Sequence, residues 1–269
     1  AQRLDQRLPV DAVPVELAEL AESLNDMLAR LEESFKRLSD FSSDLAHELR
    51  TPVSNLMTQT QVALSKTRSS AEYREVLESN CEEFERLSRM ISDMLFLAKS
   101  ENGLIVPGTD SFDLADEVEA LFDFYGALAE ENGVTLRLEG SGQVTGDRLM
   151  LRRAIGNLLS NALRYTPSGG RIVVTVSVVR DSTDTETVHL AVENTGDPIP
   201  PEHLSRLFDR FYRVDASRRH SGDGAGLGLA ITRSILRSHG GDIEGRTGKG
   251  CNIFEMWIPT SIVTPRSAD

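Results

Sequence analysis

The sequence predicts two domains of different class: a long helical hairpin that pairs into a four-helix bundle, and then a mixed α/β domain. The 269 residues suit one or two domains. Apolar residues recur at heptad spacing up to about residue 100. Helical stretches then alternate with strand-like runs from about residue 111, which is typical of an α+β or α/β domain.

A leucine at every seventh position predicts a long, partnered first helix. Ser34 interrupts the companion positions, which otherwise hold Leu20, Met27 and Phe41. This a/d pattern favours a coiled coil or helical bundle, and a single amphipathic helix on a globular core is the alternative. The seam consists of Leu17, Leu24, Leu31, Leu38 and Leu45.

A polar break at residues 65–70 separates this helix from a second periodic run over residues 73–98. Two long helices with a short polar connection predict an antiparallel hairpin. Its wide apolar face favours pairing with a second copy, which gives a four-helix bundle as a homodimer.

Residues 101–110 read as a linker and hinge, and the second domain follows. Its predicted helices cover about 113–132, 147–165 and 226–239. The predicted strands are Val134–Leu138, Arg171–Val179, Val188–Glu193, Asp242–Gly245 and Asn252–Ile258, with a hairpin loop at Asp181–Thr187.

The amino-acid composition argues against several classes of protein. The net charge of −13 argues against a nucleic-acid partner. Two distant cysteines form no disulfide framework, which favours a reducing compartment. No run approaches the roughly 20 apolar residues of a membrane span. Because the chain starts inside a patterned segment, we expect a cytoplasmic fragment of a longer protein.

The heptad register places His47 at position c, on the outside of the helix. An exposed imidazole is substantially neutral near pH 7, and its free lone pair makes it a candidate nucleophile. Glu48 would hold one ring N–H, and Thr51, four residues on, would position a water. Pro52 predicts a bend. A core histidine and a merely solvated helix face are the alternatives.

Asn157 and Asn161 lie four residues apart on one predicted helix face, beside Arg164 and Tyr165. An amide oxygen suits Mg²⁺, which bridges to substrate phosphates, and an arginine neutralises phosphate oxygens. Two exposed polar positions without a ligand are the alternative.

Two glycine-containing segments follow. Asn194 ends a strand with a carbonyl directed inward, and Gly196 permits a flat ring to approach. In SGDGAGLGLAI, at residues 221–231, alternating glycines precede a helix and resemble an anion site, although the loop matches neither a P-loop nor a dinucleotide fingerprint. Between them, LFDRFYR (207–213) mixes aromatic and basic residues. An amphipathic turn that packs its aromatic side chains into the core, as we expect for Phe208, is the alternative.

In this order the segments resemble the cytoplasmic part of a sensor histidine kinase over essentially the whole chain. AHELRTP resembles the phosphoacceptor box, NLLSNALRYT the N box, VENTGDPIP the first glycine box, FDRFYR the F box, GDGAGLGLAI the second glycine box and GKGCNIFEMWIP a last glycine-containing strand. Residues before about 38 resemble the end of a HAMP linker. FSSDLAHELRTP, YREVL, RMISDMLFLAK and VENTGDPIP resemble most the heavy-metal (copper or silver) sensing branch.

The resemblance implies an α-helical dimerisation hairpin, a four-helix bundle as a dimer, followed by an α/β sandwich ATP-binding domain of the histidine-kinase/gyrase type. It implies a HAMP end and signalling coiled coil at 1–37, the phosphotransfer hairpin at 38–102, a linker at 103–110, the catalytic domain at 111–262 and a disordered tail at 263–269.

It also implies roles. His47 would be phosphorylated from ATP, with Glu48 as its carboxylate partner, and Thr51 would support dephosphorylation of a response regulator. Asn161 would ligate Mg²⁺. The residues implied around the nucleotide are Asn157, Asn161, Arg164, Tyr165, Asn194, Gly196, Arg213, Gly224, Gly226, Leu227 and Gly228.

The implied partners are a second copy and the receiver domain of a response regulator, without nucleic acid. The fragment itself would make no membrane contact, and the full-length protein would span the inner membrane. Three positions depart from the family pattern: Asn194 replaces an aspartate, Pro198 a glycine, and Cys251 a threonine, as a small buried residue. A catalytically weak ATP-binding scaffold, or another ATPase of the same nucleotide fold, is the alternative function.

Overall fold

The computed structural model describes residues 15–180, 186–214 and 226–260. The chain divides into two compact units, Ala1–Leu87 and Ser88–Asp269. The expected tail at 263–269, the tip of the predicted hairpin loop and the first half of the HAMP-like segment lie outside the described residues. None of the described helices is long and apolar enough to cross a membrane.

Two helices make up the described part of the first unit, and the second helix continues into the second unit. Helix α1 spans Val15–Leu64 and α2 spans Ser70–Glu101. The break between them coincides with the predicted polar connection. Ser69 begins α2 with a capping box: its hydroxyl accepts from the Glu72 N–H, and the Glu72 carboxylate accepts from the Ser69 N–H at 2.8 Å.

The heptad leucines are only partly covered within one chain. Leu24 and Leu31 keep 38% and 43% of their surface exposed, and Leu20 keeps 66%. The side chains of Leu17 and Leu38 lie outside the described part. Helix α1 continues through Pro52, which is buried, so the bend expected there stays a prediction.

The last turns of α2 group with the second unit because two helices of that unit contact them. Asp93 pairs with Arg153 of the following α/β domain, whose guanidinium also lies 4.9 Å above the Phe96 ring. Ser234 donates to Ser100 at 2.6 Å. Burial raises the pKa of Asp93 against the opposing charge of Arg153. The domain boundaries given above remain predictions.

The second unit is a sheet covered by helices on one face. In chain order its elements are β1 (Asp110–Asp113), α3 (Leu114–Glu131), β2 (Thr135–Gly140), β3 (Gln143–Gly146), α4 (Arg148–Tyr165), β4 (Arg171–Arg180), β5 (Glu186–Thr195), α5 (Pro201–Leu204), α6 (Gly228–Ser238), β6 (Asp242–Gly248) and β7 (Cys251–Pro259). The five-stranded sheet has the order β2-β4-β5-β7-β6. Strands β2 and β4 are parallel, and the other neighbours are antiparallel. This confirms the α/β sandwich.

All five predicted strands and three predicted helices are present, with shifts of a few residues at their ends. The sequence missed β1 and β3, which pair with each other in a separate two-stranded ribbon. Each has four residues and buries a single large apolar side chain, Phe112 or Val144, so neither shows an alternating pattern long enough to recognise.

The core lies between the inner sheet face and α3, α4 and α6. Alternate residues of the central strands point inward, as the period of two requires. Helix α4 contributes the largest helical share. Its buried side chains are Leu151, Ala154, Ile155, Leu158, Leu159, Ala162 and Leu163.

A buried histidine fixes the start of α4. His239 Nε2 accepts from the Asp147 N–H at 3.0 Å, and Nδ1 lies 2.8 Å from the Ile235 carbonyl, so the ring is neutral with its proton on Nδ1. Asp147 caps the helix by accepting from the Met150 N–H. A side chain at Gly146 would place its Cβ 2.7 Å from the His239 ring, so the ring approaches because this residue is glycine.

We expect this histidine to make the second unit acid-sensitive. Burial lowers the pKa of His239, with the Ile235 carbonyl and Asp147 opposing the shift. The unfolded chain takes up a proton near pH 6.5, whereas the folded chain does not, so stability is lost as the pH falls below about 6.5. Urea midpoints at pH 7.5 and 5.5 measure this loss.

His239→Gln is expected to flatten that pH dependence and to cost about 1–3 kcal/mol at pH 7.5, because the Asp147 N–H loses its acceptor. His189, whose pKa burial also lowers, titrates in the same direction. His189→Gln should therefore flatten the slope further in the double variant. An unchanged slope in both variants would assign the acid sensitivity to other groups.

Candidate functional site

The residues predicted to form the phosphoacceptor box all lie on α1. His47 and Thr51 are exposed, Glu48 is half-buried and Pro52 is buried. The heptad register thus predicted the outward direction of the imidazole. Among the described residues the His47 ring makes no hydrogen bond, including to Glu48. Adjacent helical positions are about 100° apart, so a Glu48 contact needs a different side-chain rotamer or an incoming group.

Asn157 joins two helices of the second unit. Its Nδ2 donates to the Gly228 carbonyl at 3.0 Å and lies 3.5 Å from the Thr232 hydroxyl. Since Gly228 is the first residue of α6, this amide fixes the start of α6 against α4. A predicted nucleotide residue therefore also has a structural task that the sequence did not indicate.

Asn161 lies one turn further along α4, half-buried. Within the described residues its amide has no hydrogen-bond partner, so both the oxygen and the nitrogen remain available for a ligand. An amide oxygen with unused lone pairs on a rigid helix fits Mg²⁺, which takes few protein ligands and completes its shell with waters and phosphates.

The C-terminal end of β5, which includes Asn194, lies close to the C-terminus of α4. Asn194 is buried, and its Nδ2 lies 3.4 Å from the Thr166 hydroxyl. A Cβ at Gly196 would come 2.9 Å from the Tyr165 carbonyl, so glycine is required for this close approach. Arg164 and Tyr165 are both exposed here.

Asn252 borders the candidate site, and no sequence motif pointed to it. Its Oδ1 accepts from the Ile199 N–H at 3.2 Å, and its Nδ2 donates to the Asp197 carbonyl at 2.9 Å, so it holds the loop that follows Asn194. Register pairs it with Asn194 across β5 and β7. A buried asparagine in an alternating apolar strand was the available signal.

Its neighbour Cys251 is half-buried at the turn into β7, not buried as expected. The thiol reaches the Gly248 carbonyl at 3.0 Å. The strand starts at this residue, directly after Lys249 and Gly250, which both have a positive φ.

The base of the second glycine loop is joined to the F box. Gly226 has a φ of 71°, and its carbonyl accepts from the Phe211 N–H at 3.0 Å. A Cβ at Gly226 would lie 2.9 Å from the Phe211 backbone, so the two segments touch. Leu227 is buried and anchors the start of α6. Gly224 lies outside the described residues.

The F box itself is held by side chains. The Tyr212 hydroxyl lies 2.5 Å from His203 Nδ1, and Arg206 stacks 4.4 Å from the Tyr212 ring centroid. Phe208 is half-buried and packs edge-to-face on the buried Phe254, so this aromatic ring contacts the core as expected. Arg213 is half-buried next to this anchored segment.

Four segments that are far apart in sequence therefore meet. The N box forms the C-terminal half of α4, both glycine boxes contact it, and the last strand holds the loop of the first glycine box. Backbone N–H groups at the start of α6 and the amide of Asn161 supply groups suited to an anion and its cation. His47, Glu48 and Thr51 belong to the first unit.

Three family matches cover most of the chain. Residues 1–33 match the HAMP domain, and residues 37–103 match the His Kinase A (phospho-acceptor) domain. Residues 146–262 match the histidine kinase-, DNA gyrase B-, and HSP90-like ATPase family.

Among curated proteins, the sensor histidine kinase CusS of Escherichia coli K12 is 55% identical over 95% of this chain and 52% of its own length. The probable sensor kinase SilS of Salmonella typhimurium is 45% identical over 96% and 52%. The sensor protein CopS of Pseudomonas syringae is 50% identical over 84% and 46%. The chain thus spans about half the length of these relatives.

Solved structures show the same fold. Histidine kinase AdeS of Acinetobacter baumannii has a TM-score of 0.65 at 24% identity, over 81% of this chain and 98% of its own. Histidine kinase ThkA, in complex with response regulator protein TrrA, has a TM-score of 0.67 at 22% identity, over 86% and 64%. With its phosphoacceptor hairpin, its ATPase sandwich and these relatives, the chain belongs to the sensor histidine kinases.

Proposed function

We propose that this chain is the kinase portion of a two-component sensor, which phosphorylates His47 from ATP and passes the phosphoryl group to an aspartate of a response regulator. The observation that carries the proposal is the exposed imidazole in a matched phosphoacceptor segment, followed by a matched ATPase segment whose boxes meet in space.

In the proposed reaction a neutral His47 nitrogen attacks the γ-phosphorus of ATP, and the bond from that phosphorus to the bridging oxygen breaks, so that ADP leaves. The Glu48 carboxylate accepts a hydrogen bond from the other ring N–H, which keeps the attacking nitrogen unprotonated, and it takes up that proton as the N–P bond forms. Phosphoryl transfer depends mostly on positioning and charge neutralisation.

The second unit would supply that positioning. Asn161 would hold Mg²⁺, which would neutralise phosphate charge. Asn157 and Gly228 fix the start of α6, whose first N–H groups would bind phosphate oxygens. Arg164 and Arg213 add positive charge, and Gly196 and Tyr165 leave room for the base. Gly224, Gly226 and Leu227 belong to the loop that would cover the phosphates.

The partners follow from the hairpin and the relatives. The exposed seam leucines and the phosphoacceptor match support a homodimer, in which a second hairpin covers the apolar face. ThkA, which shares the fold, is described in complex with a response regulator. We propose a receiver domain as the acceptor here and, in the opposite direction, dephosphorylation assisted by Thr51.

We also propose a response to heavy metals, copper or silver. Identity of 45–55% to CusS, CopS and SilS supports the branch that the sequence motifs resemble. The HAMP match supports placement of this chain as the cytoplasmic part of a longer protein anchored in the inner membrane.

Labelling with γ-labelled ATP tests the kinase. The wild-type chain is expected to gain an acid-labile, base-stable label, and His47→Gln is expected to reduce it to background because the attacking nitrogen is gone. His189→Gln is the matched control, since His189 lies on the sheet, and it should label normally. Normal labelling of His47→Gln would overturn the assignment, and nucleotide binding without any label would favour the scaffold alternative.

Asn161→Ala tests the magnesium site. Mg²⁺ is expected to strengthen ATP binding to the wild-type chain, and the variant should lose about tenfold or more of that affinity, since even indirect partners of a metal site contribute about 10–100-fold. Isothermal titration with and without EDTA measures the difference. If the Mg²⁺-dependent gain survives in the variant, another residue binds the ion.

Thr51→Ala tests the reverse reaction on the receiver domain that phosphotransfer profiling identifies. Loss of the hydroxyl that positions the attacking water should slow release of phosphate from that receiver by about 10²-fold. Thr58→Ala changes another exposed threonine of the same helix and should leave the rate unchanged. Equal rates in both variants would remove Thr51 from the mechanism.

A further inference from the structure

The amide of Asn194 faces the proposed adenine position, and an amide has two unlike ends. Its oxygen accepts hydrogen bonds and its nitrogen donates two. An exocyclic amino group, as in adenine, requires the oxygen end, whereas an oxo group at the same position requires the nitrogen end. Which end faces the base therefore decides which base is bound.

Two acceptors hold the nitrogen end in the protein. Nδ2 of Asn194 lies 3.2 Å from the Thr195 carbonyl and 3.4 Å from the Thr166 hydroxyl oxygen. The Thr166 hydroxyl donates its only proton to the Ala162 carbonyl at 2.7 Å, so it offers Asn194 lone pairs alone. Both positions are buried, with 3% and 8% of the residue surface exposed for Asn194 and Thr166.

A rotation of the amide by 180° would set its oxygen against two acceptors. Both hydrogen bonds would be lost, and a buried polar group without a partner is costly. Within the described residues Oδ1 has no hydrogen-bond partner, so the oxygen is the end left for a ligand.

We propose that Thr166 is a specificity-determining residue, which orients Asn194 so that the site accepts a 6-amino purine and rejects a 6-oxo purine. This inference rests on the proposed nucleotide site and adds to it the means of base selection. Thr166 acts through Asn194 and is a positioning residue. The backbone carbonyl of Ala162, in the last turn of α4, fixes the direction of its hydroxyl in turn.

Equilibrium binding of ATP and inosine triphosphate tests this. The two nucleotides differ at position 6 and in the N1 proton that accompanies the oxo group. The wild-type chain is expected to prefer ATP. Thr166→Val keeps the shape but removes one of the two acceptors, so inosine triphosphate should bind about fivefold tighter, the value of one hydrogen bond. ATP affinity should change little.

Two further variants separate orientation from packing. Thr166→Ser keeps the hydroxyl and should keep the wild-type preference. Asn194→Asp presents acceptors at both ends, so its preference for ATP should not depend on residue 166, and Asn194→Asp/Thr166→Val should match Asn194→Asp. Thermal unfolding of each variant verifies that it is folded.

The outcomes are distinct. An unchanged ATP preference in Thr166→Val, or an equal loss of both affinities, would overturn the inference while ATP binding by the wild-type chain still stands. Failure of the wild-type chain to bind either nucleotide would instead overturn the proposed function on which the inference rests.

Discussion

The placement of α4 is the constraint on which the rest of the second unit depends. One side of this helix buries seven apolar side chains, including Leu151 and Leu158, against the sheet and its neighbours. Because the helical repeat puts residues four apart on one face, burial of that side directs Asn157 and Asn161 away from the sheet. His239 and Asp147 set where the helix starts, and the hydrogen bond from Asn157 to Gly228 then sets where α6 starts. The site is therefore positioned by the core.

Polar side chains around this helix fix the orientation of the neighbouring segments more than they add to the free energy of unfolding. Thr166, Asn194 and Asn252 are all buried, and each joins a loop or strand end to a helix end or a neighbouring strand. A buried amide that lost one partner would pay the cost of an unmet hydrogen bond, so only one arrangement of these segments satisfies all of them. This explains how four segments that are far apart in sequence meet in one geometry.

The hairpin is built on a different principle. Its leucines are partly exposed in a single chain, as Leu24 and Leu31 show, whereas the second unit buries its core by itself. A helix pair with an uncovered apolar seam gains stability by association, and a sheet covered by helices does not need to. The last turns of α2 pack on α4 and α6 through Asp93, Phe96 and Ser100. The same helix therefore forms part of the hairpin and also contacts the helices of the second unit.

By itself the sequence determined the class of each unit and the main elements, and it predicted a set of candidate site residues. Heptad and period-two spacing are local signals, and they placed the hairpin break, five strands, three helices and the outward direction of His47. The features that the sequence did not predict arise from contacts between residues that are far apart along the chain. Strands β1 and β3 are too short to carry a pattern, and they exist because they pair with each other. The tie from Asn157 to α6, the bracing by Asn252 and the orientation of Asn194 by Thr166 join residues 28 or more positions apart. Only the tertiary structure decided them, because a hydrogen bond between distant residues leaves no periodicity in the sequence.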